Sequence, residues 1–135
     1  MRDVIVPKAL RDAVAASGFS PAVRAGDFLF LTGATGGRAD GTMPDTAAEQ
    51  TDIALAKVLE ILRTAGGTVG SVVELTSYHT DIDADFSAVD TRLRAILHEP
   101  LPAWTAVEVA RLRRPGARVE FRIVAHLPQP SETAP

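Results

Sequence analysis

Val119-Glu120-Phe121-Arg122-Ile123-Val124-Ala125-His126 sets Val119, Phe121, Ile123 and Ala125 on one side of an extended chain. Glu120, Arg122, Val124 and His126 fall on the other. A strand with one wholly apolar row has to lay that row on a second layer of structure. Two segments of helical period supply it. Thr46 and Glu49 form a capping box, and Leu55, Val58, Leu59 and Leu62 then recur on one face until Gly66-Gly67 stops the helix. A second helix, capped by Asp83 or Asp85, carries Phe86, Val89, Leu93, Ile96 and Leu97, with Pro100 just past its end.

The remaining segments read as strands. Val4-Ile5-Val6 is short and stopped by Pro7. Ala22 to Ala25 and Phe28 to Thr32 flank Gly26-Asp27 as a hairpin. Val72 to Thr80 is rich in β-branched and aromatic residues. Ala103 to Ala110 and Arg118 to Leu127 surround the turn dipeptide Pro115-Gly116, which predicts a second hairpin. Residues 8–17 fit a helical turn or an ordered arm equally well. Residues 33–45 are a glycine-rich loop without phosphate-loop spacing. The order β-ββ-α-β-α-ββ predicts an α+β fold, a mostly antiparallel sheet with two helices on one face. The 135 residues fit a single domain over 1–127. The proline-rich end, 128–135, is expected to be a disordered tail.

Composition narrows the partners. Fourteen Lys+Arg against 17 Asp+Glu leave a net charge of −3, a poor footprint for nucleic-acid binding. The absence of cysteine excludes disulfides and a catalytic thiol. No apolar run is long enough to span a bilayer, and the N-terminus lacks a signal-peptide pattern, so a soluble cytoplasmic protein is expected. His79, His98 and His126 share no metal-ligand spacing and read as surface or interface residues, so no metal site is expected. The run Arg111-Leu112-Arg113-Arg114 is read as a solvated hairpin tip.

Period 2 also divides the strand at 103–110, with Trp104, Ala106, Glu108 and Ala110 opposite Ala103, Thr105, Val107 and Val109. The uniformly apolar rows Val107/Val109 and Phe121/Ile123 are expected to cover the helices, so the outer sheet face gathers Trp104, Glu108, Glu120 and Arg122. That face is either an oligomer interface holding a polar pocket or a solvated surface with a Glu108–Arg122 pair.

Phe19-Ser20-Pro21-Ala22-Val23, Gly26-Asp27-Phe28-Leu29-Phe30-Leu31-Thr32-Gly33, Ala65-Gly66-Gly67-Thr68, Tyr78 to Phe86, and Leu101-Pro102-Ala103-Trp104-Thr105-Ala106-Val107-Glu108-Val109-Ala110-Arg111-Leu112 followed by Val119-Glu120 together resemble the RidA/YjgF (endoribonuclease L-PSP) family over residues 1–127. The resemblance implies a chorismate-mutase-like six-stranded sheet and a homotrimer with a central barrel. It implies small-molecule clefts between subunits, and hydrolysis of enamine or imine acids without metal or organic cofactor. It decides the outer face in favour of the interface.

The chain departs from the family pattern where an arginine would clamp the substrate carboxylate, since Pro102-Ala103-Trp104-Thr105 puts an indole there. An indole offers one uncharged donor in place of a bidentate cation, and losing a charge-assisted hydrogen bond of about 1.5–3 kcal/mol lowers binding roughly 10- to 150-fold. Phe19 stands at the family tyrosine, Thr32 at its serine, and Asp90 at an asparagine of the second helix. Glu120 is retained. The expected site therefore has Glu120 and Thr32 as its catalytic groups and Phe19, Gly33, Trp104, Asp90 and Arg122 as its binding groups. The substrate would be a reactive C=N compound less anionic or more aromatic than the usual imino acids. A non-catalytic metabolite-binding or partner-docking trimer is the alternative, and a ribonuclease a third.

Overall fold

The computed structural model describes residues 2–129. Its strands are β1 (Asp3–Ile5), β2 (Ala22–Ala25), β3 (Phe28–Leu31), β4 (Ala34–Thr35), β5 (Val72–His79), β6 (Ala103–Glu108) and β7 (Val119–His126). They form one sheet in the order β1-β2-β3-β7-β5-β6, with the short β4 also pairing with β7. Every pairing is antiparallel except β5 with β6. The helices are α1 (Arg11–Ser17), α2 (Ala47–Thr64) and α3 (Ile82–Leu97). The α+β architecture is the expected one, with α1 resolving residues 11–17 as helix and making a third. Residues 130–135 of the expected tail lie outside the described residues. Among the described residues no helix is long and apolar enough to cross a membrane.

α2 begins where the capping box placed it, with the Thr46 side chain accepting from the Glu49 N–H. α3 begins earlier than expected. Asp81, rather than Asp83 or Asp85, accepts from Ala84 N–H, and Glu108 Oε1 accepts the Ile82 N–H at 3.0 Å. Helix and sheet meet through Leu29, Leu31, Leu75, Val119, Phe121 and Ile123 from the strands, and Leu55, Val58, Leu62, Val89 and Leu93 from the helices. None is more than 6% exposed. Each such side chain stabilises the fold by roughly 1.5–3 kcal/mol.

The expected hairpin between the last two strands is absent. β6 runs parallel to β5, with Leu75 opposite Trp104, and β7 lies on the other side of β5. A parallel pair needs a crossover rather than a tight turn, and α3 is that crossover. The segment from 109 to 118 therefore spans the end of β5, where Val109 N–H donates to His79 O and Thr80 N–H donates to Arg118 O. Pro115-Gly116 still turns the chain, but inside this bridge.

The face assignment of β6 is reversed as a result. Trp104 lies on the helix side, its Nε1–H donating to Ser77 Oγ at 2.9 Å and its ring stacked on Phe86 with centroids 5.2 Å apart. Glu108 also points to the helix side and caps α3, so the Glu108–Arg122 pair does not form. Arg122 has Glu74 as its ion-pair partner, at 4.0 Å. Val107, 37% exposed, takes the open side. An edge strand beside a helix buries a tryptophan as readily as a valine, and apolar content alone did not distinguish the two rows.

His79, expected at the surface or an interface, is fully buried within the chain, with Nε2 2.8 Å from Ser77 Oγ and Nδ1 without a partner. Burial lowers its pKa below the ordinary 6.5, against a weaker opposing pull from the Asp85 charge. A base that resists protonation only when folded leaves stability intact above 6.5 and erodes it as pH falls below that value. Relative to a His79→Gln variant, the wild type should lose more stability between pH 7.5 and pH 5. Equal pH dependence of the two melting temperatures would contradict this.

Candidate functional site

The face of the sheet away from α2 and α3 carries Glu120 near its centre. Glu120 lies on β7 with Tyr78 as its partner on β5 and Thr35 as its partner on β4. β3 pairs with β7 as far as Phe30 opposite Val124, and β4 resumes with Ala34 opposite Phe121. Four steps on one strand therefore match three on the other, a bulge over residues 31–33 of the kind that re-aims backbone beside functional groups. Thr32 and Gly33 occupy it.

The bulge brings Gly33 under the Glu120 carboxylate. A Cβ at residue 33 would stand 2.5 Å from Glu120 Oε2 and 3.0 Å from its Cδ, so only glycine leaves the carboxylate where it is. Gly33→Ala should displace the Glu120 side chain, which is flexible, while moving the melting temperature by no more than a few degrees. A crystal structure of the variant with the carboxylate unmoved would contradict this reading. Among the described residues Glu120 takes part in no side-chain hydrogen bond or ion pair, which leaves its oxygens for a water or a ligand.

Two cavities flank this carboxylate and share Gly33 and Glu120 as a common wall. One, of about 400 Å³, is lined by Thr32, Tyr78, Val109, Arg111 and Arg122. The other, of about 350 Å³, is lined by Thr35, Arg113, Arg114 and Pro115. Thr32 spends its backbone N–H on Pro21 O at 2.9 Å, so its hydroxyl is the group it offers here.

Of the residues expected in the site, Glu120, Thr32, Gly33 and Arg122 come together. Trp104, Phe19 and Asp90 line neither cavity. Trp104 occupies the opposite sheet face, its only donor engaged by Ser77. Asp90 accepts from Arg94 Nε along α3 at 2.9 Å, which offsets the repulsion expected of it. Phe19 is 37% exposed ahead of β2. Tyr78 and the arginines at 111, 113 and 114 line the cavities without having been picked out. Tyr78 was detectable as the strand neighbour that period 2 sets beside Thr76, but its pairing with Glu120 needed the topology. The basic run is no hairpin tip: it lies on the path that bridges the end of β5.

Fold and site together define a small α+β protein with helices on one sheet face and a carboxylate-centred cleft on the other. The chain belongs to the endoribonuclease L-PSP family, whose sequence model matches residues 10–127. The RutC family protein YjgH of Escherichia coli K12 is 33% identical over 129 residues, covering 95% of this chain and 97% of that one. The solved structure of YjgH superposes with a TM-score of 0.84 over 96% and 98% of the two chains at 32% identity. The 2-iminobutanoate/2-iminopropanoate deaminase of Bos taurus is 35% identical over 109 residues, covering 79% of this chain and 78% of the relative. The crystal structure of RidA from the Antarctic bacterium Psychrobacter sp. PAMC 21119 matches with a TM-score of 0.75 at 28% identity, over 81% and 88%.

Proposed function

We propose that this protein is a cofactor-independent hydrolase of a small reactive imine or enamine, working in clefts between the subunits of a homotrimer. The observation that carries the reading is the Glu120 carboxylate resting on Gly33, unpaired and facing two cavities. It accepts a hydrogen bond from a water and takes its proton as the water oxygen bonds to the C=N carbon. The C=N π pair moves to nitrogen, which takes that proton back from Glu120 to give the carbinolamine. Glu120 then removes the hydroxyl proton as the carbinolamine collapses to C=O and the C–N bond breaks, and it passes that proton to the nitrogen leaving as ammonia. The Thr32 hydroxyl orients the reacting group.

The trimer is supported by the open sheet face, where Phe28 and Phe30 are each 43% exposed and Val107 37%. Apolar side chains grouped on one sheet face favour burial against another copy. On this reading Trp104, Phe19 and Asp90, which line neither cavity of their own subunit, serve the cleft of a neighbouring one. The bovine deaminase supports the class of reaction; the tryptophan at 104 supports a substrate other than the usual 2-imino acids.

Enzymatically generated 2-iminobutanoate tests both statements. Release of 2-oxobutanoate should exceed the spontaneous rate by a margin at least tenfold smaller than that given by a relative with arginine at this position. Equal turnover would show that residue 104 does not govern the substrate. Sedimentation should give three times the chain mass, and a monomer would remove the intersubunit cleft.

A further inference from the structure

We propose that the cavity between Glu120 and the 109–118 bridge binds a remote carboxylate of the substrate, with Arg113 and Arg114 as its anchors. The site would then take a dicarboxylate-type compound, its C=N carbon at Glu120 and its second acid group on the bridge side. The inference deepens the hydrolase reading and rests on it for the chemistry at Glu120, though not for binding.

The distribution of cationic partners supports it. Among the described residues Arg38, Arg63, Arg92, Arg94, Arg118 and Arg122 each stand within ion-pair distance of a carboxylate. Arg2, Arg11, Arg24, Arg111, Arg113 and Arg114 have none, and of these the three on the bridge line cavities that contain Glu120. Arg113 and Arg114 on the wall of the cavity of about 350 Å³, with Arg111 in the neighbouring one, put unneutralised positive charge on the bridge side with room for an anion, and guanidinium groups are suited to carboxylates.

The bridge is held in place rather than loose. Gln50 Nε2 donates to Gly116 O at 3.0 Å, Gln50 Oε1 accepts from Arg118 N–H at 2.7 Å, and Ala117 N–H donates to Arg114 O at 3.1 Å. The Arg114 guanidinium lies against the backbone at Gly37, where a Cβ would meet its terminal nitrogen at 2.7 Å. Lys57 adds a fourth cation nearby, its Nζ donating to the cavity residue Thr35 through the backbone oxygen at 2.8 Å. Burial first, and then the Arg114 charge, push the Lys57 pKa below its ordinary value, consistent with a crowded positive site.

This arrangement makes the substrate more anionic than the indole at residue 104 alone suggested. A carboxylate next to the reacting carbon has lost its expected clamp, while one farther along the molecule meets two arginines.

Calorimetric titration with 2-oxoglutarate and 2-oxobutanoate, stable keto counterparts of a dicarboxylic and a monocarboxylic imine, tests the inference without requiring turnover. The wild type should bind 2-oxoglutarate at least tenfold more tightly. The double variant Arg113→Gln/Arg114→Gln should reduce that preference to within about twofold, and Arg113→Lys/Arg114→Lys should retain most of it, with all three proteins melting alike because these side chains are exposed. The inference is overturned by a wild type without preference, or by a glutamine variant that keeps it. Preference without hydrolysis of any imine would uphold the anion site and sink the hydrolase reading; hydrolysis without preference would do the reverse.

Discussion

Glu120→Gln is expected to lower kcat/KM for imine hydrolysis roughly a hundred- to ten-thousandfold while leaving the melting temperature unchanged. The substitution keeps shape and volume but replaces an acceptor-only carboxylate, able to take a proton, with an amide that cannot. Because Glu120 makes no side-chain hydrogen bond or ion pair among the described residues, no structural partner is lost with its charge. Stopped-flow measurement of ammonia release separates the loss from binding, since KM should move far less than kcat. A variant with full activity would remove Glu120 from the role of base.

The largest effect on stability is expected from Gln50→Leu. Gln50 is fully buried in α2, and its carboxamide reaches three backbone groups: Pro44 O at 2.7 Å, Gly116 O at 3.0 Å and Arg118 N–H at 2.7 Å. Leucine fills the volume and satisfies none of them. Orphaning buried polar groups costs about 1–3 kcal/mol each, so a loss of about 3 kcal/mol and a fall of about 10 °C in melting temperature are expected. Denaturant melts of the two proteins check the figure, and a loss below about 1 kcal/mol would mean that water takes over the three bonds. The same variant should weaken ligand binding at the bridge, since Gln50 joins that segment to α2.

Local chemistry made some parts of the molecule legible in advance. Thr46, Glu49 and the run through Leu62 located α2, because a capping box and a helical stripe carry their own boundaries. The strict alternation in β7 placed Phe121 and Ile123 in the core and Glu120 and Arg122 on the open face. β6 was legible as a strand but not as a neighbour of β5, because alternation defines two rows without saying which partner a strand pairs with or in which direction. The choice of row then failed at Trp104 and Val107, where the indole's stacking on Phe86 and its bond to Ser77 outweigh the apolar uniformity of the other row. Gln50 and His79 were missed for a related reason. A buried polar side chain has no periodic signal of its own, and its partners, Gly116 for one and Ser77 for the other, are brought near by tertiary pairing.

The course of residues 109–118 across the end of β5 separates two properties of the cleft. On the proposed reading the acting carboxylate stands on β7 beside the bulge at Gly33, within the sheet, whereas the charge around it comes from a surface crossing tied down by the Gln50 carboxamide and a few backbone hydrogen bonds. Lengthening, shortening or exchanging that crossing would then alter what the pocket accepts while leaving the Glu120 carboxylate where β7 holds it.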